Sequence, residues 1–164
     1  FPGLPKDIYP VGRLDYDSEG LLLLTNDKPL TNRLLNPAFG HKRTYLVQVE
    51  GMPHPEALDQ LRAGVWINAG GKRFHTKPAQ ALLIPAPELP ERDPPIRFRK
   101  NVPDSWIQLT LTEGRNRQVR HMTAAVGYPT LRLIRYSIGQ VTIDGLAPGM
   151  YTEYDATIRE KLFA

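Results

Sequence analysis

Cysteine is absent from the sequence, and its absence excludes both a disulfide framework and a thiolate metal site. A chain without cysteine is typical of a reducing compartment, so we expect a cytoplasmic protein. Long apolar runs are also absent. None approaches the roughly 18 residues of a membrane-spanning helix, and no signal peptide opens the chain. We therefore expect no membrane partner.

The chain has 164 residues, which is about the size of one domain. Its apolar fraction of 41% and its 16 prolines indicate a loop-rich globular domain and not a disordered segment. We predict a single domain over residues 1–164 that acts as a monomer. Because the first residue is Phe1 and not Met, we expect that a native N-terminal segment is missing from this chain.

Basic residues outnumber acidic residues by 21 to 17, which gives a net charge of +4. Their grouping is more informative than the total. The groups are Lys42-Arg43, Lys72-Arg73, Arg97-Arg99-Lys100 and Arg115-Arg117-Arg120, followed by Arg132 and Arg135. One such group alone is typical of a solvated surface. Several together favour a polyanionic partner, because neutralising phosphates releases counterions.

Residue periodicity and turn signals predict more strands than helices. Strands are expected at residues 21–25, 42–50, 65–67, 73–77, 81–84, 105–112, 131–136, 140–143 and 150–154. Helices are expected between Asp27, as the N-cap, and Pro37, and at residues 55–63, 116–126 and 157–163. Tight turns join several of the strands. The fold class is therefore α+β, with a mixed, mainly antiparallel central sheet flanked by helices.

The segment before the leucine-rich residues 21–24 holds Asp15, Asp17 and Glu19 close to glycines at positions 12 and 20. Carboxylates beside a buried strand are costly unless they are paired or used in chemistry. Their spacing also resembles the start of a calcium-binding EF-hand loop. That loop needs a glutamate at its twelfth position, where this chain has Asn26. We therefore predict no metal site here.

A second charged segment runs over residues 113–122. At helical spacing Arg117, Arg120 and His121 share one face, whereas Val119 and Met122 face elsewhere. The first turn of such a helix offers backbone N–H groups that favour phosphate. The pattern alone fits an exposed basic helix face equally well.

Together with the strand at residues 42–47, these segments resemble the ribosomal-RNA pseudouridine synthases of the RsuA type, which modify isolated uridines. The resemblance covers nearly the whole chain in the family's order. It is carried by GRLD with SEGLL at residues 12–22, KRTYLV at 42–47, EGRNRQVR at 113–120, LIR at 133–135, and Gly139 with LAPG at 146–149. The stretches at residues 94–97 and 105–106 look most like the E branch, which modifies large-subunit ribosomal RNA.

The resemblance implies a pseudouridine synthase fold and a set of site residues. It assigns the essential carboxylate to Asp15, the aromatic partner of the target base to Tyr45, the basic partner of the aspartate to Arg120, and a pocket-lining residue to Leu133. It places Arg13 near a flipped-out nucleotide. The expected RNA-binding residues are Arg13, Lys42, Arg43, Arg115, Asn116, Arg117, Gln118 and Arg135.

The chain departs from the family in three respects. It lacks the upstream strand segment that typically contains Asn-Lys-Pro, and it lacks the ribosomal-protein S4-type domain that many relatives carry. His121 stands where relatives often have arginine, which keeps a hydrogen-bonding group but weakens the charge.

The implied reaction breaks the N-glycosidic bond of a uridine, rotates the base and rejoins it through carbon. One carboxylate can serve as nucleophile, or as base at the sugar, so no cofactor is expected. The base must leave its stack and lie against an aromatic face such as Tyr45. Two alternatives remain at this point: a retaining glycosidase that uses Asp15 and Glu19, which the scarcity of tryptophan (two residues) disfavours, and a non-catalytic RNA-binding module.

Overall fold

The structure is a computed structural model that describes residues 3–96 and 102–164. Its strands are β1 (Tyr9–Pro10), β2 (Glu19–Gly20), β3 (Leu24–Thr25), β4 (Arg43–Glu50), β5 (Trp66–Ala69), β6 (Lys72–His75), β7 (Gln80–Ile84), β8 (Asp104–Leu111), β9 (Thr130–Ile138) and β10 (Val141–Thr142). Its helices are α1 (Lys28–Leu35), α2 (Pro55–Ala63), α3 (Gln118–Ala125) and α4 (Ile158–Leu162), and a 3-10 turn at Pro37–Phe39 follows α1.

A central sheet organises the chain, with its strands in the order β10-β9-β4-β8-β7. Neighbours along this path are antiparallel, whereas β2 joins the sheet by pairing with β9 in parallel. Strands β1 and β3 form one separate antiparallel pair, and β5 and β6 form another. The predicted α+β class with a mixed, mainly antiparallel sheet is confirmed.

The main core lies on one face of the central sheet. The alternating residues of β4 and β8 supply it, with Val47, Val49 and Leu109 fully buried. Leu61 of α2 and Met122 of α3 pack against these side chains in the same buried cluster. Each such side chain contributes roughly 1.5–3 kcal/mol by leaving water. The face predicted from alternation is therefore the face that carries α2 and α3.

Helix α1 begins and ends as its sequence predicts. The Asp27 side chain accepts a hydrogen bond from the backbone N–H of Leu30 at 3.0 Å, which satisfies one of the open donors of the first turn. Leu34 is buried against Val11 and Leu21. Leu35, by contrast, is half exposed and lies at the edge of a cleft.

The leucine-rich stretch at residues 21–25 is not the single buried strand that was predicted. Only its last two residues lie in a strand, β3, whereas residues 21–23 connect β2 to β3. Leu21 is buried, but Leu22 is 39% exposed. The backbone changes partner within the stretch, because Leu21 N–H donates to Arg135 while the carbonyl of Leu23 accepts from Val11. A continuous ladder with one neighbour is therefore impossible.

Gly20 makes the parallel pairing of β2 with β9 possible. Its φ is +113°, and a Cβ at this position would lie 2.3 Å from the carbonyl oxygen of Arg135. Only glycine fits so close an approach of two backbones. The pairing fixes the acidic loop before Gly20 beside β9.

Two further boundaries differ from the predictions. Residues 150–154 form no strand in the part of the chain that the structure describes, and Met150 and Tyr154 are exposed, so alternation there has no sheet edge to pack on. Helix α3 begins at Gln118 and not at residue 116, because Arg117 adopts a left-handed conformation with φ of +53°. Arg117 therefore does not share a helix face with Arg120 and His121.

Candidate active site

A cleft of about 570 Å³ opens between the acidic loop, β4, β9 and the segment that leads into α3. This volume lies within the range of small-molecule and nucleotide-sized sites. The predicted site residues that line it are Arg13, Asp15, Arg43, Tyr45, Arg115, Asn116, Arg117, Gln118, Leu133 and Arg135. Lys42 and Arg120 do not line it. Residues from four separate segments are thus brought together at one concave surface.

Asp15 lies in a tight turn at the mouth of this cleft. The turn is closed by a hydrogen bond from the Ser18 N–H to the Asp15 carbonyl at 2.9 Å, and Gly12 with φ of +72° lets the chain enter it. The side chain of Asp15 is 28% exposed. Its ion-pair partner is Arg117, whose Nη1 lies 3.6 Å from Oδ2. That distance is too long for a good hydrogen bond.

Asp17, which the sequence analysis left without a role, is the carboxylate that holds the arginines. It accepts hydrogen bonds from both Nη atoms of Arg117, at 3.1 and 2.9 Å, and lies 3.5 Å from Nη2 of Arg120. These hydrogen bonds from Arg117, aided by the charge of Arg120 and opposed by burial, lower the pKa of Asp17 to about 2. Asp17 is therefore ionised throughout the physiological range.

Arg120 was expected to pair with Asp15, but in the structure it pairs with Asp17. Its Nη2 donates to the Asp17 carbonyl at 2.9 Å and to the Ser18 hydroxyl at 3.3 Å. Burial lowers the pKa of Arg120, and the charge of Asp17 partly opposes that effect. The physical reason for the different partner is the turn at Asp15, which directs the backbone after it toward α3. Arg120 thus fixes the loop that carries Asp15.

Arg117 adopts an unfavourable backbone conformation at this site. It is the non-glycine residue with positive φ among those the structure describes. A left-handed arginine is strained, and such strain persists where surrounding contacts enforce it. The contacts here are the pair of hydrogen bonds to Asp17, which also raise the pKa of Arg117. The strain places a guanidinium beside both Asp15 and Asp17.

Tyr45 and Arg135 meet on adjacent strands in the cleft wall. They are direct partners across β4 and β9, and a β-bulge lies between Thr44 and Tyr45 in this pairing. Arg135 is buried and donates from Nε to the Leu21 carbonyl at 2.8 Å. Burial lowers the pKa of Arg135. Bulges of this kind commonly re-aim side chains beside functional sites.

One guanidinium nitrogen of Arg135, Nη2, is buried without a hydrogen-bond partner among the described residues. Unpaired buried donors are costly and call for an acceptor. Arg135 lines the cleft together with Leu133, but this nitrogen itself has essentially no accessible surface. Leu133 itself is buried and pairs with Val47 in the neighbouring strand, so it supplies an apolar wall.

Gln118 lines the cleft but is used within the protein. Its amide nitrogen donates to Glu113 at 2.9 Å, and its amide oxygen accepts from the Arg115 N–H at 3.0 Å. Glu113 is buried and also accepts from the Lys77 N–H at 2.7 Å. The expected RNA-binding role of Gln118 is therefore replaced by a structural one: it shapes the loop before α3. Sequence reasoning missed Glu113, which appeared only as part of a charged segment.

The remaining polar and basic residues lie at or near the opening of the cleft. Arg13 and Asn116 are exposed, Arg43 donates to the Leu34 carbonyl at 3.0 Å, and Arg115 packs over the ring of Phe74. Lys42 is exposed outside the cleft, where its carbonyl accepts from the Gly139 N–H. The site thus combines a carboxylate, an aromatic ring and an apolar wall inside a basic rim. That set suits an everted nucleotide on a phosphate backbone.

The glycosidase alternative, which rests on Glu19, does not fit the geometry. Glu19 accepts hydrogen bonds from Nε and Nη2 of Arg132, both at 2.8 Å, and does not line the cleft. It cannot act with Asp15 as a glycosidase pair.

Within residues 3–96 and 102–164, no group of three or more candidate ligands could hold a metal ion. None of the helices in those ranges is both long enough and apolar enough to cross a membrane.

Comparison with known proteins identifies the family. The RNA pseudouridylate synthase family model matches residues 2–125. A ribosomal large subunit pseudouridine synthase E from Xanthomonas axonopodis pv. citri is 58% identical over 147 residues, which are 89% of this chain and 75% of that protein. The protein of the same description from Vibrio parahaemolyticus is 51% identical over 148 residues, which are 90% of this chain and 60% of that protein.

A solved structure described as a pseudouridylate synthase has a TM-score of 0.74 and 30% identity, and the match covers 95% of this chain and 60% of that one. The chain therefore belongs to the RNA pseudouridylate synthase family.

Proposed function

We propose that this chain isomerises a uridine to pseudouridine in large-subunit ribosomal RNA, with Asp15 as the essential carboxylate. The relatives described as large-subunit pseudouridine synthases support the substrate class. The observation that carries the proposal is the placement of Asp15 at the mouth of a basic-rimmed cleft that also contains Tyr45 and Leu133. A non-catalytic RNA-binding module would not need an ionisable carboxylate there.

The residues divide the reaction between them. The basic rim holds the RNA backbone, and the target base is everted so that its ring lies against Tyr45 and Leu133. Asp15 then acts at the ribose, either as a nucleophile at C1′ or as a base at the sugar. The bond between N1 and C1′ breaks, the uracil turns within the cleft, and a bond forms between C5 and C1′. The hydrogen on C5 leaves as a proton, and N1 gains one.

Arg117 and Arg120 act around this carboxylate. Arg117 places positive charge 3.6 Å from the Asp15 carboxylate. Arg120 does not touch Asp15 in an ion pair, and we assign it the role of positioning residue, because its hydrogen bonds to the Asp17 carbonyl and Ser18 fix the loop.

The proposal is tested with large-subunit ribosomal RNA that carries tritium at C5 of uridine. The reaction displaces that hydrogen, so turnover releases tritium into water, and reverse-transcription mapping then locates the product. We expect turnover by the unchanged protein and a loss of at least about 1,000-fold for Asp15→Asn, which is isosteric but cannot attack or accept a proton usefully. RNA affinity should change little, because it rests on Lys and Arg.

Glu19→Gln is the matched control, since it neutralises a carboxylate of the same loop that lies outside the cleft. It should keep most of the activity. Multiple turnover by purified Asp15→Asn protein would overturn the assignment of Asp15.

We further propose that the chain forms a single catalytic domain, acts as a monomer and works in the cytoplasm. The shared core that joins α2, α3 and the sheet supports the single domain, and ribosomal RNA as substrate supports the compartment. Sedimentation equilibrium over a range of concentrations tests the monomer, and a mass that rises with concentration would contradict it.

A further inference from the structure

The ribbon formed by β5 and β6 presents an exposed tryptophan beside the site. Trp66 is 56% exposed, whereas its neighbours Ile67 and Ala69 are buried on the opposite face of the ribbon. Trp66 lies directly across from His75, and Asn68 across from Arg73. These four residues form the outer face of the ribbon.

The indole is held in place by its neighbours. The Cζ atom of Arg73 lies 4.7 Å from the Trp66 ring centroid, and the His75 ring meets the indole edge-on at 5.0 Å. A cation on an aromatic face is attracted by the ring, and both groups are then pre-organised for a ligand. The guanidinium covers one face of the indole, and because the indole is more than half exposed, its other face can stack on a nucleic-acid base.

The charge of the surrounding segment selects the kind of partner. Between Asp59 and Glu88 the sequence contains no acidic residue, but it contains Arg62, Lys72, Arg73 and Lys77. This charge favours a polyanion over a protein partner, because an apolar protein surface would leave the cations unpaired. A nucleic-acid strand satisfies both the ring and the charges.

The ribbon is joined to the rim of the cleft. The Cζ atom of Arg115 lies 3.6 Å from the ring centroid of Phe74 in β6, and Arg115 also lines the cleft. Glu113, a second cleft residue, accepts from the Lys77 N–H just beyond β6. Phe74 lies across from Ile67, so Arg115 contacts the inner face of the ribbon, opposite Trp66. The ribbon therefore borders the cleft, and a strand leaving the cleft past Arg115 crosses the edge of the ribbon to reach Trp66.

From these observations we infer that the β5–β6 ribbon is a second RNA contact, in which Trp66 stacks on an unpaired base that flanks the target uridine and Arg73 binds the adjacent phosphate. The inference rests on the proposed function, because it takes the strand in the cleft to be RNA. It adds a stacking platform that is separate from the pocket of the everted base.

The test compares three variants on a large-subunit ribosomal RNA fragment that the unchanged protein converts. Trp66→Ala should weaken RNA affinity and raise KM by about tenfold, with kcat at saturating RNA unchanged. Trp66→Phe should restore most of the affinity, because it keeps a stacking ring. Tyr154→Ala, which removes an equally exposed ring outside the ribbon and the cleft, should change neither quantity.

Tryptophan fluorescence gives a second readout. The chain has two tryptophans, and Trp106 is buried, so acrylamide quenching reports mainly on Trp66. Bound RNA should protect this emission from quenching in the unchanged protein. Unchanged KM in Trp66→Ala, together with quenching that RNA does not alter, would overturn the inference. If the unchanged protein makes no pseudouridine, the proposed function is overturned instead, and the affinity comparison still decides the ribbon contact.

Discussion

Asp15 and Glu19 belong to one short acidic loop, but their surroundings are opposite. Glu19 forms two hydrogen bonds of 2.8 Å with Arg132 and has a second cation, Arg92, at 3.8 Å. Asp15 has an ion-pair contact of 3.6 Å with Arg117 and lines the cleft. Asp17, between them, is also held by short hydrogen bonds. Arginines thus satisfy two carboxylates of the loop and leave the third accessible to a ligand.

This difference shows that a carboxylate's role depends on which face of the loop it occupies and not on local charge density. Strand β2 runs parallel to β9 and Glu19 pairs with Ile134. Glu19 is thereby placed near Arg132, two residues earlier in β9 and outside the cleft. The turn closed by Ser18 directs Asp15 into the cleft. Arg132 and Arg92 hold Glu19, whereas Arg117 and Arg120 hold Asp17 and Arg117 also places charge beside Asp15.

Arg120→Met is expected to have the largest effect among the arginines. It removes the hydrogen bonds to the Asp17 carbonyl and to Ser18, which lets the loop shift, and misplacement of about 1 Å can cost on the order of 100-fold in rate. We expect kcat to fall by about that factor with a small change in RNA affinity. Single-turnover kinetics at saturating RNA measure it.

Arg132→Met is the matched control on the outer side, where loss of the pair with Glu19 should lower stability more than rate. A steep fall in affinity for Arg120→Met, with turnover at saturating RNA unchanged, would show that Arg120 is a phosphate clamp and not a positioning residue.

Asp17→Asn should lower the free energy of unfolding, because it removes the charge that pairs with Arg117 and Arg120. The pKa of Asp17 is about 2 in the folded protein, below the usual 3.8, so its charge stabilises the fold above pH 4, and this contribution is lost as the pH falls toward 2. Since the side chain is 38% exposed, solvent screening reduces the contribution to about 1 kcal/mol at pH 7. Urea unfolding at pH 7 and at pH 2 measures it.

The unchanged and Asp17→Asn proteins should differ in unfolding free energy at pH 7 and converge near pH 2. A difference that is independent of pH would mean that the substitution acts through packing and not through the charge of Asp17.

The sequence predicts much of the fold because alternation and caps are local signals. The faces of β4 and β8, the Asp27 cap, and helix α2 at residues 55–63 follow from such signals and are confirmed. Three features were not predicted: the bulge between β4 and β9, the left-handed conformation of Arg117, and the change of backbone partner within residues 21–25. These features depend on which distant backbone lies nearby, which periodicity does not encode.

The sequence predicted which residues would lie together in the candidate site better than it predicted the contacts between them. Family resemblance brought Asp15, Tyr45 and Leu133 into one set, and the structure places all three in the cleft. The partner of Arg120 could not be predicted, because the choice between Asp15 and Asp17 depends on the direction of one turn. The same holds for Gln118, whose burial follows from the orientation of Glu113.

The smallest expected effects concern the basic rim, which we predict acts as one RNA track. Its members are Lys42, Arg43, Arg115 and Arg117. Three of them line the cleft, and Lys42 adjoins it in sequence. Each residue that meets a phosphate should reduce the slope of log affinity against log salt by roughly 1 when replaced by glutamine. Preference for the target over scrambled RNA should change little, since phosphate contacts carry no sequence information.

Salt titrations of the four single glutamine variants test this track, with Lys161→Gln as the control. Lys161 lies in α4 and does not line the cleft, so its variant should keep the slope of the unchanged protein.

Arg117→Gln should differ from the other three, because Arg117 already neutralises Asp17. Its removal leaves that carboxylate to repel RNA, so affinity should fall further at low salt than one lost phosphate contact explains. One slope shared by all five variants would mean that the track does not exist. The RNA would then bind elsewhere, and the cluster of Arg97, Arg99 and Lys100, which lies outside the described residues, would be the next to neutralise.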